Sequence, residues 1–298
     1  SLRDELLRAR LAGQSTAAVA TRLRALGRLP LGQAGALLVA DQLAVIDAML
    51  DKSALLDDVD AVQPFDAPVA IDVSVDGLRL TGSLERVRGD LLFALDFGKE
   101  EGKRMLRPWL QLLAWQAMAP LTSRQAVIGL GDQEKGAPKP ELLGLDTAAD
   151  APALLAELVA LYRRGQTEPL PLFVGASRAF AKVAAVPSKK GAGDQISLAD
   201  LARGLPTDRA QLDRLSHALD KAMEAYDDDE ARGRTDMDDP AVAWLYEGRL
   251  PMQDLSVSPV PLNLDFARLA LTVWGPLLGS RRTATQVTPW LARQEVAP

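Results

Sequence analysis

The sequence predicts an α+β fold, a mixed α/β domain in which a three-strand meander and two further strands are flanked by helices. Apolar and polar residues alternate strictly from Val69 to Val75, which is the period of a strand buried on one face. Asp76-Gly77 follows, a dipeptide typical of two-residue hairpin turns. On both sides of this region the apolar residues are spaced three to four apart, as in amphipathic helices.

Two helices are predicted before the strands. Ser15 or Thr16 can cap the first, which we expect to end at Leu26-Gly27 because glycine readily adopts the left-handed conformation of a helix end. The second helix follows a break at residues 29–32. Its apolar stripe consists of Val39, Leu43, Ile46 and Leu50.

The predicted meander contains three antiparallel strands. The first covers residues 69–75, the second runs from about Leu78 to Val87, and the third covers residues 91–97. Turns at residues 76–77 and 88–90 connect them. On the first strand the inward-facing side chains are Val69, Ile71, Val73 and Val75.

A helix over residues 102–119 is predicted after the meander. Pro108 fits best in the first turn of a helix, so the regular part is expected to begin near Arg107. Two further strands follow at residues 126–130 and 141–145. The stripe predicted for the helix is Leu106, Leu110, Leu113 and Ala117.

The rest of the chain has an interrupted helical pattern. Asp150 is expected to cap a helix that ends at Gly165, and Thr207 a longer helix. A Pro-rich stretch precedes the final predicted helix. The apolar residues of that last helix are Phe266, Leu269, Val273 and Leu277.

The composition excludes several classes of protein. The 298 residues include no cysteine, which excludes disulfides and thiolate sites, and the single histidine, His217, excludes sites that need two imidazoles. The net charge of −6 opposes tight binding of DNA by general basicity. No apolar run approaches the roughly 20 residues of a membrane-spanning helix, so we expect a cytoplasmic chain without membrane contact. The chain opens on Ser1, and we expect it to be a piece of a longer protein.

The order of helix, strands and carboxylates raises the possibility of a metal-dependent nuclease core of the PD-(D/E)xK type. Such a core holds Mg²⁺ with one acid on the second strand and one on the third, and a lysine two residues after the latter shares its face. Glu85 falls on the predicted second strand and Asp96 on the third. The residue two after Asp96 is Gly98, and Lys99 faces the other side unless a bulge intervenes.

Four stretches of the sequence resemble a known family. They are residues 76–84 (DGLRLTGSL), 23–32 (LRALGRLPLG), 161–172 (LYRRGQTEPLPL) and 239–248 (DPAVAWLYEG). In this order and spacing they are similar to the carboxy-terminal domain of the RecC family, the gamma subunits of exodeoxyribonuclease V, or RecBCD. The resemblance spans roughly residues 20–280.

The resemblance implies a non-catalytic subunit. In that family the carboxy-terminal domain is similar in fold to the RecB nuclease domain but lacks a working active site, and Gly98 in place of lysine agrees with this. The implied role is to scaffold the RecBCD helicase-nuclease and to guide duplex DNA during double-strand break repair by homologous recombination. RecB-like and RecD-like subunits and double-stranded DNA are the implied partners, with no metal and no cofactor. The alternative is an active Mg²⁺-dependent PD-(D/E)xK nuclease that uses Glu85, Asp96 and Lys99.

Three segments are expected along the chain. Residues 1–62 form a helical lead-in, residues 63–175 the nuclease-like α/β core, and residues 176–298 a helical carboxy-terminal extension of the same domain.

Basic residues crowd the meander and the helix after it, and they are the candidates for contact with DNA. Acidic residues interleave with them, so the local excess of positive charge is only two. A basic strip on an otherwise acidic chain suits a surface that contacts duplex phosphates within a larger complex. The predicted DNA-binding residues are Arg86, Arg88, Lys103, Arg104 and Arg107.

Other candidate sites have weaker signals. His217 lies on a predicted helix without a GxSxG nucleophile elbow in the chain, which favours a solvated histidine. The acidic run at residues 227–230 lacks the DxDxDG pattern of a calcium loop. No GxxxxGK[ST] motif accompanies the glycines at residues 129–136, so no ATP site is expected.

Overall fold

The computed structural model divides the chain into two compact units. It describes residues 1–57, 61–100, 102–119, 123–146, 148, 150–187, 195–227, 235–246 and 248–294. Unit 1 consists of Ser1–Val73, Leu80–Thr147 and Arg281–Pro298, and unit 2 of Ser74–Arg79 and Ala148–Ser280. The three segments expected from the sequence, which meet at residues 62 and 175, stay a prediction.

Helices and strands follow one another along the whole chain. The helices are α1 (Leu2–Leu11), α2 (Thr16–Ala25), α3 (Gly32–Lys52), α4 (Gly102–Met118), α5 (Ala151–Gly165), α6 (Val174–Ala184), α7 (Leu198–Ala202), α8 (Arg209–Tyr226), α9 (Pro240–Tyr246), α10 (Leu264–Ser280) and α11 (Ala284–Gln294). The strands are β1 (Val69–Val75), β2 (Leu78–Leu84), β3 (Val87–Arg88), β4 (Leu91–Phe97), β5 (Gln125–Gly131), β6 (Gln133–Glu134), β7 (Ala137–Pro138), β8 (Glu141–Leu145) and β9 (Arg281–Thr283).

At the start of unit 1, α2 and α3 confirm the two predicted helices, whereas α1 was not predicted as a separate element. Ser15 caps α2 by accepting a hydrogen bond from the backbone N–H of Ala18, and Gly27 follows its end with a φ of 68°. α3 then begins at Gly32. Its buried face includes Val39, Ile46 and Leu50 of the predicted stripe.

α3 is long and apolar enough to cross a membrane by length and composition, with a mean hydropathy of 1.4. No such segment is predicted from the sequence, because charged residues break the longest apolar stretches. Its residues Ile46, Met49 and Leu50 are fully buried in the core of unit 1, together with residues of α1, β4 and α11. This packing accounts for the apolar residues on one face of the helix, whereas Leu37 and Leu38 are exposed.

Five strands of unit 1 form one mixed sheet in the order β3-β4-β5-β8-β9. β4 and β5 are parallel, with Leu91 opposite Gln125 and Phe97 opposite Gly131, and α4 lies in the connection between them. β8 is antiparallel to both β5 and β9. All seven residues of β5 are buried, as in a strand covered on both faces.

The prediction of a single three-strand meander is wrong. β1 and β2 form a separate two-stranded sheet, and the turn between them has the predicted positive φ at Asp76 (47°) and Gly77 (74°). The predicted second strand is broken at residues 85–86, and its last part, β3, pairs with β4. The break accompanies a change of partner, because β2 pairs with β1 whereas Val87 of β3 lies opposite Leu92 of β4.

α4 differs from the predicted helix in its start and in its buried face. It begins at Gly102, so Pro108 lies inside the helix rather than in its first turn. Leu110 of the predicted stripe is exposed. The segment offers two overlapping apolar stripes, and the one that contains Met105 and Trp109 is buried because it removes more apolar area from water.

Unit 2 is built mainly from helices. α6 packs against α8 and α10, and the rings of Phe180 and Phe266 meet edge to face at 5.4 Å. Asp150 caps α5 as predicted. The cap of α8 is Asp208 rather than Thr207, because a carboxylate also interacts favourably with the positive end of the helix dipole.

α10 buries its predicted residues but is not the last helix. β9 and α11 follow it and belong to unit 1, and neither is predicted from the sequence. α11 packs on β8 at Gly144, where a Cβ atom would lie 2.5 Å from side-chain atoms of Trp290 and Val287. The buried residues that confirm the prediction for α10 are Phe266, Leu269, Val273 and Leu277.

Candidate functional site

A cavity of about 410 Å³ in unit 1 brings together most of the predicted site residues. Its walls are most of β4, the first turns of α4, the end of β2 with the segment that leads to β3, and single residues of α1 and β5. The charged residues that line it are Asp4, Glu85, Arg86, Asp96, Lys103, Arg104 and Arg107.

Of these charged residues, β4 supplies Asp96, and α4 supplies Lys103, Arg104 and Arg107. Leu91, Phe93 and Leu95 belong to the hydrophobic core of unit 1. Residues two apart on a strand share a face, so Ala94 and Asp96 point away from that core. The start of α4 is held by Glu100, whose carboxylate receives two hydrogen bonds from Arg281, at 3.2 and 2.6 Å.

Glu85 does not lie on a strand, which corrects the prediction. It follows the end of β2 in the break before β3, and its side chain is exposed. Among the residues that the structure describes, no group of three or more histidine, cysteine, aspartate or glutamate side chains could hold a metal ion. Glu85 and Asp96 therefore lack a third protein ligand of this kind within that part of the chain.

The position two residues after Asp96 is closed to a lysine by the backbone. Gly98 has a φ of 107°, a conformation that side chains other than glycine rarely adopt. The guanidinium of Arg104 lies against this glycine, so that a Cβ atom there would be 3.0 Å from Nη2. Arg104 also pairs with Asp96 (Nε to Oδ2, 3.4 Å) and donates a hydrogen bond to the carbonyl of Lys99 at 3.1 Å.

These residues do not fit a PD-(D/E)xK metal centre. A guanidinium carries the charge that a metal ion and a lysine would supply beside Asp96. Lys99 does not line the cavity. Its charge acts instead on Glu134, whose pKa is held below its ordinary value chiefly by the hydrogen bond and charge of Lys139 and in smaller part by Lys99.

The cationic side of the cavity is concentrated at the amino-terminal end of α4. The first turn of this helix contains Lys103 and Arg104 and no acid, although the positive end of the helix dipole disfavours cations there. Within the described part of the chain, the side chains of Lys103 and Arg107 form no ion pair or hydrogen bond. Backbone N–H groups and cations at the start of a helix together favour the binding of an anion.

Arg86 adds a further positive charge to the same cavity. Burial lowers the pKa of its guanidinium, the charge of Glu85 opposes that shift, and the charges of Arg107 and Arg8 reinforce it. Three arginines of like charge are therefore close enough to interact. Their mutual repulsion is relieved when an anion lies among them.

Arg88, the remaining predicted DNA-binding residue, does not line the cavity. Its guanidinium donates hydrogen bonds to the side chain of Gln63 and, at 3.2 Å, to the carbonyl of Ala54. The same group lies 5.1 Å from the centre of the Phe93 ring. In this structure Arg88 ties the β3–β4 turn to the end of α3.

Sequence reasoning missed several residues of the cavity. Gln111 lies one turn after Arg107 on α4, a spacing of four that could have identified it. Ser83 lies two residues before Glu85, a spacing that could also have identified it, whereas Asp4 comes from a distant part of the chain and no local pattern connects it to the site. Asp4 is held in the capping box at the start of α1 by Ser1.

The structure places the described residues of the other candidates from the sequence outside the cavity. His217 is exposed on α8, as predicted for a solvated histidine. Of the acidic run at 227–230, residues 228–230 lie outside the described residues. Asp236 accepts hydrogen bonds from the backbone N–H groups of Gly175 (2.9 Å) and Ala176 (2.7 Å), and so stabilises the start of α6.

Comparison with known proteins identifies the family. The sequence model of the family described as "RecC C-terminal domain" matches residues 1–185, more than half of the chain. The chain belongs to the RecC C-terminal domain family. A curated relative, "RecBCD enzyme subunit RecC" from Mycolicibacterium smegmatis, is 36% identical over 185 residues, or 60% of this chain and 16% of the relative.

The family match confirms the resemblance predicted from the sequence, over a shorter range. It contains every residue that lines the cavity, together with three of the four stretches on which the resemblance was based. The fourth stretch, residues 239–248, lies outside the match to the RecC family. The aligned region spans about a sixth of the length of the curated relative.

Proposed function

We propose that the chain is a non-catalytic carboxy-terminal portion of a RecC-like subunit, which scaffolds a RecBCD-type helicase-nuclease and guides duplex DNA during double-strand break repair. The family match supports the assignment to RecC. Because the relative is named as a subunit of the RecBCD enzyme, RecB-like and RecD-like subunits are the proposed protein partners. A cytoplasmic location is part of the same proposal, and the cysteine-free composition is compatible with it.

A nuclease-like ancestry of unit 1 is also proposed. The parallel pair of β4 and β5 with α4 between them, preceded by a hairpin, supports it, as does an acid near the end of β4. These are the features that place Asp96 beside the amino-terminal end of α4.

The observation that argues most strongly for a non-catalytic role is the environment of Asp96. Its carboxylate pairs with Arg104, and the lysine position is Gly98 with a positive φ. Mg²⁺ prefers hard oxygen ligands and keeps several waters, so a guanidinium held against Asp96 competes with it both by charge and by space. A nuclease centre would have to displace Arg104 before a metal ion could bind.

A cleavage assay with linear duplex DNA and Mg²⁺ tests this role. We expect no cleavage by the wild-type chain, and the same background in the Asp96→Ala variant purified in parallel. Cleavage that requires Mg²⁺ and disappears in Asp96→Ala would contradict the proposal and favour the nuclease that uses Glu85, Asp96 and Lys99. Lys99→Gln would then be the next variant, because a catalytic lysine is needed only in that alternative.

The proposed contact with DNA runs through the cationic residues of the cavity. Arg86, Lys103 and Arg107 are available to phosphates, whereas Arg104 is engaged by Asp96 and Arg88 by Gln63 and Ala54. The net charge of −6 opposes association with a polyanion, so the contact is expected to be weak and to depend on salt.

A further inference from the structure

The cavity beside β4 has the features of an anion site rather than those of a cation site. Its cations gather at the amino-terminal end of α4, where backbone N–H groups and the helix dipole also favour an anion. Two of them, Lys103 and Arg107, have no side-chain partner among the described residues. Asp96, the acid that a metal ion would need, is already paired with Arg104.

We propose that this cavity binds one phosphate group of a DNA strand directly, without a metal ion, through Lys103, Arg107 and Arg86. Arg104 takes the place that a metal ion and a lysine occupy in a nuclease: it pairs with Asp96 and lies over Gly98, whose positive φ disfavours a side chain. This inference rests on the proposed role of guiding DNA. It adds the chemical group that is recognised and the independence from Mg²⁺.

The chemistry of the side chains favours phosphate over other anions. Guanidinium groups present several donors in a plane and match the oxygens of a phosphate, and an ammonium adds a compact charge. The pKa of Arg86 is lowered chiefly by burial and in smaller part by the charges of Arg107 and Arg8, against the opposing charge of Glu85, so cations lie close to one another here. A volume of about 410 Å³ lies within the range of small-molecule sites, and a sugar-phosphate unit fits such a space.

Glu85 distinguishes a phosphate site from a metal site. It lines the cavity and its charge acts on Arg86. A carboxylate repels a bound phosphate, so Glu85→Gln should strengthen phosphate binding. In a metal site the same variant would remove a ligand and weaken binding.

The test combines two probes on the 298-residue chain. Binding of a fluorescent blunt duplex is measured by anisotropy in EDTA, and inorganic phosphate is then added as a competitor, with chloride at matched ionic strength as the reference. We expect phosphate to displace the duplex more effectively than chloride, and Mg²⁺ in place of EDTA to leave the affinity unchanged. Lys103→Gln and Arg107→Gln should each lower the affinity for phosphate and the affinity for the duplex by about tenfold, as expected for the loss of one charge-assisted contact.

Lys52→Gln is the matched control, because Lys52 is exposed in unit 1 and does not line the cavity. It should retain wild-type affinity for both probes. If the duplex binds but phosphate and chloride displace it equally well, the phosphate site is overturned, while the DNA-guiding role is retained. Duplex binding that requires Mg²⁺, or that Glu85→Gln weakens, would also overturn it. Absence of duplex binding would instead contradict the proposed function itself.

Discussion

Replacement of Gly98 by alanine tests the reason why the lysine of a nuclease is missing here. Gly98 has a φ of 107°, and its backbone N–H donates a 2.9 Å hydrogen bond to the carbonyl of Gly131 on β5, which holds it in this conformation. A residue with a Cβ atom in such a sparsely populated region costs about 1–3 kcal/mol. The added Cβ would also lie 3.0 Å from Nη2 of Arg104, although that flexible side chain can move.

We expect Gly98→Ala to lower the free energy of unfolding by about 2 kcal/mol, near the middle of that range. For a domain of 150–250 residues such a loss lowers Tm by about 4–8 °C. Thermal unfolding by calorimetry and urea unfolding followed by circular dichroism measure the change. Gly82→Ala is the matched control, because Gly82 lies on β2 with open space around its Cβ position and without a positive φ. That variant should be neutral, or more stable by about 0.4–1 kcal/mol through reduced entropy of the unfolded chain.

A double variant separates the two causes of the loss. Gly98→Ala combined with Arg104→Ala removes the crowding and keeps the backbone strain. If backbone strain dominates, the free energy of unfolding of the double variant falls by the sum of the losses measured for the two single variants. A Gly98→Ala protein as stable as Gly82→Ala would refute the reasoning, since a lysine could then stand at residue 98 without cost.

Three further predictions concern the stability of the two units. Ile71→Ala should cost about 2–5 kcal/mol because Ile71 is buried on β1, and urea unfolding that matches wild type would contradict the burial of this face. Gly144→Ala should destabilise unit 1, since its Cβ would collide with Trp290 and Val287, and a Trp290→Ala background should relieve part of the loss in the same assay. Tyr226→Phe should be neutral or stabilising, because within the described residues the buried hydroxyl has no hydrogen-bond partner. Burial raises the pKa of Tyr226 to about 12, so the wild-type protein should lose stability as pH rises from about 10, the unfolded value, through 12, and Tyr226→Phe should lose less over that range.

The sequence predicted the elements that depend only on residues close together in the chain. The Asp76-Gly77 turn, the Ser15 cap and the uninterrupted apolar run of β5 are examples, because each depends on backbone preferences or on complete burial. The break between β2 and β3 could not be predicted in this way. It depends on β3 pairing with β4 rather than with β1, which is decided by tertiary packing.

The candidate site was predicted in its residue types but not in its geometry. The sequence identified Asp96 and the cations that follow it, and it recognised that Gly98 departs from the nuclease pattern. The pairing of Arg104 with Asp96 could not be predicted, because it requires the φ of Gly98 and the exact start of α4. The role of Arg88 at the β3–β4 turn depends on Gln63 and Ala54, more than 20 residues away in the chain.

Anisotropy of a fluorescent blunt DNA duplex, followed over a range of salt concentrations in EDTA, tests the DNA-guiding role most directly. We expect a dissociation constant of about 10⁻⁶ M or weaker at physiological salt, without sequence preference. The Lys103→Gln/Arg107→Gln variant should lose about 1.8 from the slope of log K against log salt, because each phosphate contact contributes about 0.9. The control variant Lys52→Gln/Lys182→Gln removes two exposed charges outside the cavity and should keep the wild-type slope. An equal loss of slope in both variants, or wild-type binding that does not respond to salt, would contradict a DNA-guiding surface at this cavity.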